Sequence, residues 1–159
     1  MRIIIAGAGD VGFHLAKLLT EENHDIALID TDKAKLKYAS DHLDIATHVG
    51  NSISYSVLQE ARVDKADLVI SVTNSEEANV ATCIIAKNQG AKRTISRIQN
   101  VEYLLRQEKR NLQELGIDEL ISPETLAARE IKRLLKEVAF TDSFDFDQGK
   151  LSLAGISVV

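Results

Sequence analysis

A chain of 159 residues has room for one ordinary domain, and 45% hydrophobic residues with no Trp make its core an aliphatic one. The net charge of −5 argues against a nucleic-acid binder, which needs a concentrated basic face to displace counterions from phosphate. The single Cys83 excludes an internal disulfide, strand-like sequence from Arg2 leaves no n-region for a signal peptide, and no apolar run approaches the ~20 residues of a membrane helix; a soluble, cytoplasmic protein is expected.

Strand and helix patterns alternate. Ile3, Ile4 and Ile5 form a continuous apolar run, as in a parallel strand buried on both faces, and Val11, Leu15, Leu18 and Leu19 follow at helical spacing. Further strands are expected at Ile26–Ile29 and Ile45–Val49, with a helix from Lys33 to Asp41 between them, capped by Asp32. A short helix over Ser54–Ala61 leads to a fourth strand, Leu68–Val72. Asn74 with Glu77 resembles a capping box for a helix running to Gly90. Arg93–Ile98 reads as strand five, Val101 to Leu112 as one helix, and Glu119–Ile121 as strand six. Ser122 followed by Pro123 opens a last helix reaching Ala139.

Repeated βα units of this kind imply a Rossmann-type, doubly wound, six-stranded parallel sheet of order 3-2-1-4-5-6, with helices on both faces. Phe144, Phe146, Leu151 and Leu153 alternate around Gln148-Gly149, which reads as a β-hairpin. The expected organisation is a nucleotide-binding domain over 1–140, with 141–159 a linker and the start of a following domain that the chain cuts short.

Gly7, Gly9 and Gly12 form G-x-G-x-x-G between a strand and a helix. Gly7 lets the chain turn sharply, Gly9 lets the backbone approach a pyrophosphate, and Gly12 with Ala16 lets the helix sit close to the sheet. The N–H groups of that helix start, backed by the helix dipole, suit an anionic phosphate. Asp30 ends the second strand eighteen positions after Gly12, close to the spacing of a ribose-binding acid. It would accept from both ribose hydroxyls and repel a 2′-phosphate, with no Arg behind it to compensate, so NAD(H) is expected over NADP(H). Gly50, Asn51 and Ser52 after strand three, and Thr73 and Asn74 after strand four, fall at the same crevice. Thr73 is placed to bond a ribose or a phosphate oxygen. Arg97, at the end of strand five, would reach a phosphate or form a surface ion pair.

No catalytic set is legible. His14, His24, His42 and His48 all lie in the first third of the chain, and Cys83 sits among Ala81, Ile84 and Ile85 as a packed small hydrophobe. The last helix carries an apolar stripe of Ala127, Ile131, Leu134, Leu135 and Val138 opposite a basic one of Arg129, Lys132, Arg133 and Lys136. The basic stripe is a solvated face or a dock for an acidic partner, and the apolar one packs on its own sheet or on a second subunit.

With Gly7-Ala8-Gly9-Asp10-Val11-Gly12, Asp30, Val72-Thr73-Asn74-Ser75, Ser96-Arg97-Ile98 and Ile121-Ser122-Pro123-Glu124 in place, the chain resembles the RCK/KTN nucleotide-binding domains of Trk potassium-uptake regulatory subunits (the TrkA family) over about residues 1–140. The resemblance implies that Gly7 to Val11, Asp30, Thr73, Asn74 and Arg97 contact the dinucleotide. It also implies that the helix from Pro123 couples subunits, and that Phe144 begins a C-terminal ligand-binding domain. Such proteins catalyse no reaction. They form homo-oligomeric rings on the cytoplasmic face of a potassium-translocating membrane subunit, and nucleotide occupancy changes the ring and the gate. Some relatives take ATP or ADP in the same crevice and a divalent cation near the Glu of the Pro-Glu step, which makes Glu124 a metal candidate. Two other readings stand beside this one: an NAD-dependent oxidoreductase with its substrate domain beyond Val159, and a module that keeps the fold for oligomerisation.

Overall fold

In the computed structural model the described residues are 1–137, 142–146 and 151–155. Strands β1 (Arg2–Ala6), β2 (Asp25–Asp30), β3 (Ala46–Val49), β4 (Leu68–Ser71), β5 (Thr94–Arg97) and β6 (Glu119–Ile121) form one sheet, all neighbours parallel, in the order β3-β2-β1-β4-β5-β6. The central strand owes its place to three consecutive isoleucines. Ile4 pairs in register with Ala27 and Val69 and is fully buried, as is Ile5. Successive residues point to opposite faces, so the run feeds two cores. Ile4, Ile29 and Val69 pack with Leu58, Ala61 and Val63 on one side. Ile3, Ile5 and Leu28 pack with Ala16, Leu36 and Ala39 on the other.

The helices α1 (Asp10–Glu21), α2 (Lys33–His42), α3 (Tyr55–Glu60), α4 (Glu76–Asn88), α5 (Arg106–Glu114) and α6 (Pro123–Glu137) alternate with the strands. Asp32 caps α2 as expected, its Oδ1 accepting from the Ala34 and Lys35 N–H groups. Two local expectations shift. Ser75, not Asn74, caps α4: its hydroxyl oxygen accepts from the Ala78 N–H and donates to Glu77. The helix expected from Val101 is broken, with a 3₁₀ turn at Val101–Leu104 ending on an extended Leu105 before α5 begins. Asn100 caps that turn by accepting from Glu102 N–H, and Glu76 accepts from the Gln99 and Asn100 N–H groups.

The chain divides into two compact units, Met1–Ser122 and Pro123–Val159. The division falls before α6, which the sequence reading places with the first domain. In the second unit, β7 (Asp142–Phe146) and β8 (Leu151–Gly155) pair antiparallel, with Phe144 opposite Leu153 and Phe146 opposite Leu151. The expected Gln148-Gly149 turn, the continuation of α6 to Ala139 and the residues from Ile156 lie outside the described residues.

One ion pair ties the β6 side of the sheet to α4. Lys87 Nζ donates to both oxygens of Asp118, at 3.0 and 2.8 Å, and Thr94 N–H donates to the same carboxylate at 2.7 Å. Burial presses the Asp118 pKa upward, but the Lys87 ammonium and the Thr94 N–H outweigh it and hold the carboxyl below its usual range. With the folded pKa below the unfolded one, the stabilisation is complete above the unfolded value near ~4 and is lost as pH falls through the folded value. Asp118→Asn should therefore cost about 1 kcal/mol at neutral pH, the exposure of both partners to water weakening the pair. Urea titrations should show the difference from the parent chain shrinking below about pH 4.

Candidate functional site

The strand order reverses between β1 and β4, and a crevice opens at that point beyond the carboxyl ends of the strands. Here a cleft of about 290 Å³ is lined by Gly7 and Gly9 after β1, Asp30, Thr31 and Lys35 after β2, Gly50, Asn51 and Ser52 after β3, and Val72, Thr73 and Asn74 after β4, with Ile29 and Ala78. Of the expected nucleotide-contacting residues, the cleft gathers Gly7, Gly9, Asp30, Asn51, Thr73 and Asn74. Ala8 and Gly12 are buried behind it, Asp10 and Val11 are exposed in the first turn of α1, and Arg97 ends β5 outside the lining.

The three loop glycines differ in what requires them. Gly7 has φ +106°, and a Cβ there would lie 2.9 Å from the Thr73 nitrogen. A Cβ on Gly12 would fall on the Gly7 carbonyl. Gly9 faces open space, with nothing within 4 Å of a Cβ. Gly7 and Gly12 are thus needed by the fold itself, whereas at Gly9 only an incoming ligand would feel a side chain.

Asp30 braces the loop. Its Oδ2 accepts from Ala8 N–H at 2.6 Å and its Oδ1 from Asp32 N–H at 2.8 Å. A carboxylate offers about four acceptor positions, so two remain for hydroxyl donors in the cleft. Lys35, one turn into α2, also lines the cleft, 4.0 Å from Asp32. The sequence has no Arg behind Asp30; helical geometry supplies a lysine instead, five positions on.

Asn79 is the residue that sequence reasoning missed. It is buried on α4, and its Oδ1 accepts from Ser71 Oγ, Thr73 N–H and Thr73 Oγ at 3.0, 2.8 and 2.7 Å. Its Nδ2 donates to the Thr73 and Arg97 carbonyls, both at 3.1 Å. One helical turn on, Thr82 shares a buried 2.8 Å hydrogen bond with Ser52. Nothing in composition marks Asn79, because a lone Asn within a helix reads as surface; only its offset from the Thr73 loop was a signal.

The histidines serve local structure. His14 and His42 bond the Asp10 and Tyr38 carbonyls of their own helices, and His24 lies beside Glu22. Burial, helped by Arg2 and opposed by Glu60, lowers the His48 pKa. Glu124 is exposed in the first turn of α6, and no cluster of three His, Cys, Asp or Glu side chains able to hold a metal occurs among the described residues. No helix among them is long and apolar enough to cross a membrane. Cys83 is buried, its Sγ donating to the Ile95 carbonyl at 3.3 Å, and burial pushes its thiol up to about 12. Native protein at pH 8 should therefore react with a thiol reagent far more slowly than protein unfolded in urea, as a chromogenic disulfide assay would read.

Fold and cleft together define a Rossmann-type α/β domain with a glycine-loop crevice at its switch point. The sequence profile of the TrkA-N domain matches residues 3–123, and the chain belongs to that family. It is 37% identical, over all of its length, to 36% of the Trk system potassium uptake protein TrkA homolog of Archaeoglobus fulgidus. It is 36% identical, over 98% of its length, to 34% of the Trk system potassium uptake protein TrkA of Halomonas elongata. The chain thus spans about a third of the length of these curated relatives. Among solved structures, the TrkA-N domain of the Escherichia coli inner membrane protein ybaL superposes with a TM-score of 0.72 at 20% identity, covering 84% of this chain and 96% of that one. The GsuK channel bound to NAD gives 0.69 at 18% identity, over 92% of this chain and 25% of the channel. GsuK bound to ADP gives 0.67 at 21% identity, over 86% and 34%. At these identities the superpositions establish the fold.

Proposed function

We propose that this chain is the nucleotide-sensing part of a Trk-type potassium-uptake regulator: it binds NAD(H) in the cleft without consuming it, and occupancy biases a potassium-translocating membrane subunit from the cytoplasmic side. The observation that carries the reading is the built cleft on a TrkA-N chain. A glycine loop with open space at Gly9 lies at the start of α1, and a carboxylate at Asp30 keeps acceptor capacity to spare. The relatives named for Trk potassium uptake, and a channel of the same fold solved with NAD and with ADP, support it.

The phosphates would lie over the first turn of α1, where N–H groups lack intrahelical acceptors. The adenosine ribose would lie against Asp30, with Thr73, Asn74 and Asn51 along the far wall and Arg97 reaching in from β5. The Asp30 charge disfavours a 2′-phosphate, and Lys35 is the group that would soften that exclusion. ATP and ADP are the alternative occupants, and Glu124 the residue to examine for a cation. Histidines committed to their own helices favour binding over catalysis. Control of flux requires that the two states of the regulator bind nucleotide unequally, since equal affinity shifts no equilibrium.

Gly9→Ala separates ligand from fold. It should change unfolding stability by no more than about 0.5 kcal/mol, yet weaken NADH binding at least tenfold by calorimetry. In cells, a full-length regulator carrying it should lose the nucleotide response of potassium uptake. Unchanged binding in this variant would remove the glycine loop from the site, and steady NADH oxidation with a small carbonyl substrate would favour an oxidoreductase.

Leu126, Ile131, Leu134 and Leu135 are exposed on α6, Leu135 by 70%. Apolar exposure of this kind on a 15-residue helix suits a subunit contact, and on the ring reading α6 would provide it. Ile131→Asp should then convert an oligomer to monomer, as light scattering at high concentration would show; a monomeric parent would count against the ring.

A further inference from the structure

Resting on the nucleotide-binding reading, the geometry points to Asn79 as a positioning residue that, with the Ser75 carbonyl, turns the Thr73 donors away from the cleft, and so favours a dinucleotide's second ribose over a phosphate at that place. Thr73 carries two donors, its N–H and its hydroxyl. The N–H points at Asn79 Oδ1 at 2.8 Å. The hydroxyl has two acceptors in reach, Asn79 Oδ1 at 2.7 Å and the Ser75 carbonyl at 3.1 Å, so its proton goes to one of them in either case. Asn79 cannot be flipped, because its amino group would then face the Thr73 N–H, donor against donor. Its own amino group is held by the Thr73 and Arg97 carbonyls, which sets the carboxamide from both ends.

With both protons turned inward, Thr73 has only lone-pair density to offer the cleft. One lone pair of its Oγ receives the Ser75 N–H at 3.3 Å, and the other remains. A ribose hydroxyl can donate to it, whereas a phosphate oxygen, unprotonated at neutral pH, meets it acceptor to acceptor.

The strand order decides what arrives there. Adjacent strands lie about 4.8 Å apart, and β1 with its glycine loop separates β2 from β4. A nucleotide with its ribose at Asp30 and its phosphates over the start of α1 presents to Thr73 whatever follows the phosphates. In NAD(H) that is the second ribose and in ATP the third phosphate, whereas ADP, with the same two phosphates as NAD(H), ends short of it.

Calorimetry of the parent chain and its variants with NADH and with ADP tests this. Thr73→Val keeps the shape and removes the acceptor. It should weaken NADH about three- to tenfold, the range of one neutral hydrogen bond, and leave ADP, which ends short of Thr73, unchanged. Thr73→Ser, which restores the hydroxyl, should return NADH to within about twofold of the parent. Asn79→Ala, checked for folding by its thermal melt, leaves Thr73 N–H without its acceptor and its hydroxyl with the Ser75 carbonyl alone. It should shift the NADH-to-ADP affinity ratio in the same direction, which a general loosening of the domain would not do. Equal losses for both ligands in Thr73→Val, or none, overturn the inference, as does a parent that binds ADP but not NADH. A parent that binds neither overturns the nucleotide-binding reading itself, and this inference with it.

Discussion

The rest of the site depends on one close approach of backbone to backbone. Where β1 turns into α1, the loop at Gly7 runs against the chain leaving β4, and the first turn of α1 presses Gly12 onto the Gly7 carbonyl. No side-chain carbon fits at either place. This contact brings the start of α1 down onto the sheet and sets the glycine loop directly beside Thr73. The Asp30 carboxylate holds the same loop from the other side through Ala8 N–H. A residue expected to meet a ligand is therefore also a strut, and removing it would loosen the loop itself.

The second layer of organisation is the polar face of α4. Helices packed on a sheet usually bury apolar side chains, but α4 buries Asn79 and Thr82. Each reaches a different loop, Thr73 and Ser52 respectively, and Asn79 reaches the end of β5 as well. Buried polar groups are tolerable only when their hydrogen bonds are made, and here they run to β4 and the loop after it, to Ser52 and to the end of β5. The helix works as a frame to which three loops are fastened, while the Lys87–Asp118 pair fixes its far end against the β6 side of the sheet.

Much of this was readable from the sequence because the governing patterns are local. A short isoleucine run that stops at a glycine turn reads as a strand buried on both sides, and glycines at 7, 9 and 12 between a strand and a helix admit few other geometries. Asp32 caps the helix that follows it, as its position requires. Three features escaped. The α4 cap passed from Asn74 to Ser75, since adjacent residues compete for a cap on equal chemical terms. The stretch from Val101 split at Leu105, where its apolar spacing alone suggests one helix. Asn79 and Lys35 gained their importance from partners or neighbours that only the tertiary fold brings together, so no local pattern announces them.

The unequal standing of the loop glycines bears on how divergence in such a loop is to be read. Loss of the first or last glycine must be matched by a rebuilt backbone, so lineages that drift there drift in architecture. The middle glycine carries no such burden. A descendant that replaced only that residue would keep the sheet, the helix and every buried contact around them, and would differ only in the wall of the crevice. Such a chain would be inseparable from its parent in any comparison of folds, and a single methyl group would be all that distinguished the two crevices.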